Sequence, residues 1–320
     1  MPRYARYVEN GIVHTGVVFH GKVHSLPGDP DILTLIAAED SARSAVLVQA
    51  GRQQRKDIAA TRFLTPVEPR ALRDFVTFEA HIAGMKKGEP GDGSVPEQWY
   101  EAPRFLFGNP WSVVGTGAGI PMPPFTQKLD FELEVAAVVK RTVRDLALED
   151  AADAIAGYCI WNDWSARDIQ GNEMRIGLGP SKGKDFANTL GPWITTPDEL
   201  RPYRDGDRYD LPMRVLINGE LVGEDNLKNM SWSFEEMLVH ASRDAIVGQG
   251  DVLGSGTAST GALSERWART GELIPPPLKV GDVVTMEVEG LGAITNQIVD
   301  TTSPGHTVPR ARRTYGPDRL

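Results

Sequence analysis

The chain has 320 residues, 41% apolar and 24% charged, with a formal net charge of −9. Such a composition is ordinary for a soluble globular protein and long enough to bury a large core as one big domain or two. It offers nucleic acid no broad basic footprint. No apolar run approaches the ~20 residues that span a bilayer, and the single cysteine, Cys159, cannot form an internal disulfide.

The start, Met1-Pro2-Arg3-Tyr4-Ala5-Arg6, lacks the apolar centre of a signal peptide, so the expected location is the cytoplasm. Residues 1–65 read as a small β-rich N-terminal domain, with strands at Tyr4 to Val8, Ile12 to Phe19 and Lys22 to Ser25 and turns at Asn10-Gly11 and His20-Gly21. A helix is expected from Pro30 to Ala38. His14, His20 and His24 fall on or beside these strands without a neighbouring acid or thiol and are assigned structural or solvated roles. Phe63 to Arg70 reads as an extended linker, because each proline disfavours helix in the residue before it. Arg73 to Ile82 fits a helix on which Asp74 and His81 project from nearly one face, roughly 10 Å apart along the axis. That gap is too long for a direct bond and suits a ligand at one end with a base at the other. Gly84 to Glu101 lacks periodicity and reads as a loop and candidate lid. Trp99, Tyr100, Phe105 and Phe107 are assigned to core packing before a strand at Trp111 to Gly115.

From Asp130 to Val135 acids alternate with apolar residues, the period of a strand. Glu132 and Glu134 then share one face while Phe131, Leu133 and Val135 share the other. Two carboxylates side by side repel, and a hard divalent cation removes that cost. An acidic helix from Leu146 to Ala156, capped by Asp145, feeds a strand at Tyr158 to Trp161 that ends at Asp163. Asn162 to Gln170 then crowds acid, base and amide groups into nine residues, followed by Gly183-Lys184-Asp185-Phe186. Farther on, Asn218-Gly219 marks a hairpin between Leu211 to Ile217 and Glu220 to Val222. Ser233 to Ser242 reads as a helix with Phe234, Met237 and Leu238 inward. The tail carries Arg310, Arg312, Arg313 and Arg319 and little apolar content.

The E-x-E strand together with Asn162-Asp163-Trp164-Ser165-Ala166-Arg167-Asp168-Ile169-Gln170 and Gly183-Lys184-Asp185-Phe186 resembles the core signature of the fumarylacetoacetate hydrolase family. The resemblance covers residues 66–300, which it implies to be one catalytic domain, leaving 301–320 as a basic C-terminal tail. It implies an α+β, β-rich fold, a mixed β-sandwich roll, and a homodimer. By the same resemblance Asp74, Glu132, Glu134 and Asp163 are metal ligands and His81 is the base that activates water. Glu265 matches the acid that orients the base. Arg167, Gln170 and Lys184 bind substrate oxygens and stabilise the oxyanion, and Thr257 binds a substrate carboxylate. Four oxygen ligands without cysteine or histidine favour Mg²⁺, Mn²⁺ or Ca²⁺ over zinc. Asp130 shares the face of the glutamates, but the family uses no ligand there. One departure stands out: where the family's namesake enzymes carry a substrate-contacting tyrosine, this chain has Met174.

The implied reaction is metal-dependent hydrolysis of a C–C bond in a β-diketo acid such as an acylpyruvate or a fumarylacetoacetate-like compound. The same scaffold hosts 2-oxo acid isomerases and decarboxylases of the 2-hydroxyhepta-2,4-diene-1,7-dioate isomerase type, which use an enolate without water attack. A metal-binding protein without turnover is the remaining alternative. The His81 and Glu265 pair favours hydrolysis, because water activation needs an oriented base.

Overall fold

A computed structural model describes residues 2–51, 53, 55–88 and 91–312. The chain opens with an antiparallel hairpin, β1 (Arg3–Glu9) and β2 (Ile12–Phe19). Its turn residues Asn10 and Gly11 both have positive φ, 50° and 79°, the pair of left-handed conformations a tight hairpin requires. β3 (Lys22–Ser25) and β4 (Arg55–Asp57) continue the ladder, with α1 (Asp40–Ala50) between them. The helix expected over 30–38 is one short element, Ile32–Ala37, capped by the Asp31 side chain. His14 does find an acid, Asp29, at 3.0 Å across this unit.

The span 73–82 is not a single helix. It divides into β5 (Leu72–Phe75) and α2 (Glu79–Lys86), so Asp74 stands on a strand and His81 on a helix. Tertiary pairing overrides the helical spacing here: β5 aligns with a strand contributed from far along the chain, and its four residues are all buried. The stretch read as a loop, 84–101, holds the end of α2 and a short helix Glu97–Glu101; Glu89 and Pro90 lie outside the described residues. Next come β6 (Phe105–Gly108), β7 (Gly119–Pro121), β8 (Leu133–Val139) and β9 (Ile155–Asp163). The acidic helix before β9 is limited to Leu148–Ala151 and a 3₁₀ turn. Asp145 does not cap it; its carboxylate accepts instead from the Asp244 amide at 2.6 Å.

α3 (Arg167–Met174) precedes β10 (Asn188–Thr195), the hairpin β11 (Pro212–Ile217) and β12 (Glu220–Asn226), and α4 (Phe234–Ser242). Ser233 caps α4 in a capping box with Glu236. β13 (Val252–Gly254), α5 (Leu263–Thr270), β14 (Val283–Val288) and β15 (Gly292–Val299) complete the order. Of the arginine-rich tail, Arg310 and Arg312 are exposed and lie outside regular structure, while Arg313 and Arg319 fall outside the described residues.

One large sheet runs β4-β3-β2-β1-β10-β9-β8-β13-β5-β6, and along it only β13 and β5 are parallel. The N-terminal strands join this sheet through β1 on β10, with Tyr4 opposite Ile194. A second sheet runs β12-β11-β14-β15-β7. Mixed sheets with helices on their flanks make the fold α+β and β-rich. Leu133, Val135 and Ala137 of β8 pack with Met213, Met286 and Ile294 of the second sheet. Ala136 and Val138 face the other way, onto Tyr4, Leu35, Trp161 and Ile194. Each fully buried aliphatic side chain of this kind contributes roughly 1.5–3 kcal/mol. β8 is therefore buried on both faces, which is why its alternation passes into a continuous apolar run. Glu134, in phase with Ala136 and Val138, has no access to water at all.

Candidate active site

Glu134 fits inside the sheet because a glycine lies diagonally across the ladder from it. Gly254 of β13 pairs with Ala136 on one side and Asp74 of β5 on the other. A Cβ at Gly254 would lie 2.4 Å from the Trp161 ring and 2.7 Å from Glu134 Oε2, so only glycine admits that carboxylate. Glu134 Oε2 also accepts from the Gly256 amide at 3.1 Å. Glu132, Glu134 and Asp74 each bring one oxygen within 4.8 Å of the others, all three buried. Asp163, at the end of β9, comes alongside as its backbone N–H donates to the Glu132 carbonyl at 3.3 Å.

Lys184 completes this centre. Its ammonium donates to Glu132 Oε2 and Asp163 Oδ2 and stands 3.9 Å from Asp74 Oδ2. Arg167 donates through Nε to Asp130 Oδ2 and pairs through Nη2 with Glu132 Oε1, both at 2.8 Å, while Nη1 donates to Gln170 Oε1 at 3.0 Å. Gly183 lets Lys184 in, since a Cβ there would fall 2.8 Å from the Gln170 backbone.

Two cations do not neutralise the cluster. Burial works to raise the Glu132 carboxyl, but the Lys184 and Arg167 charges outweigh it and hold the group well below the usual range. Burial and the neighbouring acids push Asp74 and Glu134 well above that range. Asp163 is pushed up to about 6, by burial first and then by Glu132, with Lys184 opposing. Asp74 Oδ1, Glu134 Oε1 and Asp163 Oδ1 are buried and find no hydrogen-bond partner among the described residues. Three orphaned carboxylate oxygens with this deficit of positive charge fit a hard divalent cation, which takes oxygen ligands and restores ionisation.

His81 enters from α2. Its Nδ1 donates to Glu265 Oε2 on α5 at 2.8 Å, and both side chains are buried. Burial would raise the Glu265 carboxyl, yet the His81 bond and charge, the Arg269 bond and the Thr260 amide hold it below its ordinary value. In the neutral ring, an ionised acceptor at Nδ1 selects the tautomer with its proton on Nδ1, whose Nε2 can accept one. His81, Asp74, Glu132, Arg167, Gln170, Lys184 and Thr257 all line one cleft of about 470 Å³. Glu134, Asp163 and Glu265 lie behind it. Ile82, Met85, Leu106, Met174 and Pro180 supply an apolar side to the same cleft.

Two residues of this site, Asp130 and Ser264, carry roles that the sequence reading does not assign to them. Asp130 is fully buried and accepts from the Leu263 and Ser264 amides at 2.9 and 3.0 Å, the first turn of α5, besides holding Arg167. Its phase with Glu132 and Glu134 was the available signal. Ser264 lines the cleft with a buried hydroxyl that lacks a partner among the described residues; nothing local in the sequence marks it.

The family model of the fumarylacetoacetate hydrolase C-terminal domain matches residues 70–299. The fumarylacetoacetase of Arabidopsis thaliana is 29% identical over 252 residues, 64% of this chain and 59% of that protein. The mitochondrial oxaloacetate tautomerase of Xenopus laevis is 34% identical over 194 residues, 59% of this chain and 55% of that protein. The matched stretch thus spans little more than half the length of either relative. Among solved structures, a maleylpyruvate hydrolase from Sphingobium sp. SYK-6, in complex with manganese(II) and pyruvate, superposes with a TM-score of 0.69 at 22% identity, covering 93% of this chain and 99% of that one. At that identity the likeness concerns the fold.

Proposed function

The chain belongs to the fumarylacetoacetate hydrolase family, and on that premise we propose that it is a divalent-metal-dependent hydrolase that cleaves a C–C bond in a β-diketo acid of the acylpyruvate or fumarylacetoacetate-like class. The observation that carries this reading is the buried His81–Glu265 pair at 2.8 Å, opening onto the cleft that also holds the acid cluster. Asp74, Glu132, Glu134 and Asp163 would hold the cation, with Mg²⁺ the first candidate and Mn²⁺ or Ca²⁺ the others. A bound ion of this kind supplies Lewis acidity to the oxygens of the substrate. The manganese(II) and pyruvate bound by the maleylpyruvate hydrolase of like fold support a divalent cation and a 2-oxo acid as the occupants of this cleft.

The chain's own residues then act as follows. His81 Nε2 takes a proton from water, Glu265 holding Nδ1–H so that the ring cannot turn. The water oxygen bonds to the acyl carbonyl carbon. Arg167, Gln170 and Lys184 donate to the oxyanion that develops, and Thr257 to the substrate carboxylate. When the C–C bond breaks, its electron pair leaves with the carbon fragment as an enolate, and the imidazolium returns a proton to that carbon. The products are a carboxylic acid and an oxo acid, a 2-oxo acid from an acylpyruvate and a 3-oxo acid from a fumarylacetoacetate-like substrate. The small molecule is the only partner this chemistry requires, and a homodimer is proposed from the family alone.

The likeness to an oxaloacetate tautomerase favours a second reading, in which His81 moves a proton at the carbon between two carbonyls and no water attacks. Acid release from a panel of acylpyruvates, measured with and without Mg²⁺ or Mn²⁺, tests the proposal. Metal-dependent acid release supports hydrolysis, and enol–keto exchange without acid supports the second reading.

A further inference from the structure

Among the described residues Glu265 receives five hydrogen bonds, only one of them from His81. Arg269, one helical turn later on α5, donates Nε and Nη2 to Oε1 at 2.9 and 2.6 Å. The same Nη2 donates to the Ala80 carbonyl at 2.9 Å, the residue immediately before His81. Arg269 therefore touches the carboxylate and the backbone that carries the histidine at once. A planar guanidinium can do this, whereas an ammonium lacks the fork.

The loop before α5 supplies the rest. The Thr260 amide donates to Glu265 Oε2 at 2.8 Å, the oxygen that also accepts from His81, and Ser259 Oγ donates to Oε1 at 3.2 Å. Thr260 has φ +58°, a left-handed conformation that is costly for a β-branched residue. It is pinned there by Glu224, whose amide donates to Thr260 Oγ1 at 3.0 Å and whose carbonyl accepts from the same hydroxyl at 2.8 Å. Two glycines let these parts approach. A Cβ at Gly223 would meet the Thr260 carbonyl oxygen at 2.0 Å, and one at Gly84, on α2 one turn after His81, would meet Glu265 Cγ and Oε1 at 2.6 Å.

We propose that Arg269 is a positioning residue which, with the strained Thr260 amide, clamps Glu265 and the His81 backbone together and so fixes His81 in the tautomer whose Nε2 accepts a proton. The inference rests on the reading of His81 as the base. Its contribution is geometric: the clamp touches neither substrate nor metal ligands, and the Arg269 side chain remains about one-third exposed, so truncating it leaves the core intact.

The test compares wild type, Arg269→Ala, Arg269→Lys, Gly84→Ala and His81→Ala. In wild type the ¹⁵N shifts of the His81 ring are expected to show a protonated Nδ1 and an unprotonated Nε2. In Arg269→Ala the two nitrogens should move toward averaged values, without a change in the thermal midpoint large enough to unfold the protein. On any acylpyruvate that the wild type turns over, kcat should fall on the order of 10²-fold with KM within about twofold. Arg269→Lys should recover part of kcat, and Gly84→Ala should reproduce the loss by displacing Glu265. An unchanged ¹⁵N pattern in Arg269→Ala overturns the inference, whatever happens to kcat. If His81→Ala abolishes turnover while Arg269→Ala leaves pattern and kcat intact, the base reading survives and the clamp does not. If His81→Ala retains turnover, both fall.

Discussion

His81 and Glu265 are 184 positions apart in the chain, yet Nδ1 and Oε2 meet at 2.8 Å with both side chains buried. The bond joins α2 to α5 behind the cleft that His81 lines. Removing the imidazole should cost turnover without touching the acid cluster. For His81→Ala the expected fall in kcat is roughly 10²–10⁴-fold, while the thermal stabilisation by Mn²⁺ stays as in wild type. Calorimetry alongside the kinetic assay checks both halves. Loss of metal stabilisation together with activity would instead make His81 part of the metal site.

Glu132 and Glu134 stand two residues apart and should respond oppositely to the same substitution. Glu134 is pushed toward its neutral form by burial and the acids around it, so Glu134→Gln replaces a neutral group by a neutral one. The metal-free protein should lose less than about 1 kcal/mol, and stabilisation by added metal should vanish. Glu132 is the ionised partner of both Lys184 and Arg167. Glu132→Gln leaves two buried cations short of a counter-charge and should cost roughly 3–5 kcal/mol. Urea unfolding of the metal-free variants separates the two cases.

The same cluster makes metal binding proton-linked. Asp163 is pushed up to about 6, with Asp74 and Glu134 well above the carboxylate range. A raised acid pKa means that the folded, metal-free chain binds more protons than the unfolded chain once pH exceeds the unfolded value. The stability these groups contribute is therefore lost as pH rises through their folded values. Glu132 is displaced downward; its contribution is already complete above its unfolded value and does not vary in this window. Cation binding needs ionised ligands and releases these protons. Between about pH 5 and about pH 7.5 the metal-free melting temperature should fall and the increment given by Mn²⁺ should grow. A flat increment across that range would contradict a proton-linked carboxylate site.

Asp130 carries a further expectation. It satisfies the first two amides of α5 and the Nε of Arg167 from a fully buried position. Asp130→Ala removes the helix-terminal acid and one counter-charge of a buried guanidinium together. The expected loss is roughly 3–5 kcal/mol, accompanied by weaker binding of the substrate head group as Arg167 loses its anchor. Denaturant unfolding and KM measure the two effects; an unchanged KM would mean that Arg167 is held well enough by Glu132 and Gln170.

What the sequence made legible was local. Strand β8 announces itself by period-2 alternation, and the dense polar run from Asn162 to Gln170 with Lys184 lies within a few turns of chain that fold next to one another. The hairpin at Asn10-Gly11 and the Ser233 cap follow from turn and cap chemistry that needs no tertiary partner. What was hidden depends on distant partners. Asp74 looked helical with His81 because the spacing allows it, but β5 is a strand since it pairs with β13, residue 74 opposite residue 254. Asp130 acquires its role from amides more than a hundred residues away, and Arg269 and Thr260 matter only once Glu265 has folded against α2. The helix expected over Leu146 to Ala156 stops short because Ile155 belongs to β9, whose pairing with β8 begins there.

The most direct test of the central claim is to run turnover of an acylpyruvate in H₂¹⁸O with Mg²⁺ or Mn²⁺, following the label in the released acid and solvent deuterium at the carbon between the carbonyls. The expected result is one solvent oxygen in the acid per turnover in wild type and none above background in His81→Ala. Deuterium entering that carbon with no acid released and no ¹⁸O in any product would contradict water attack and assign the site to proton transfer alone.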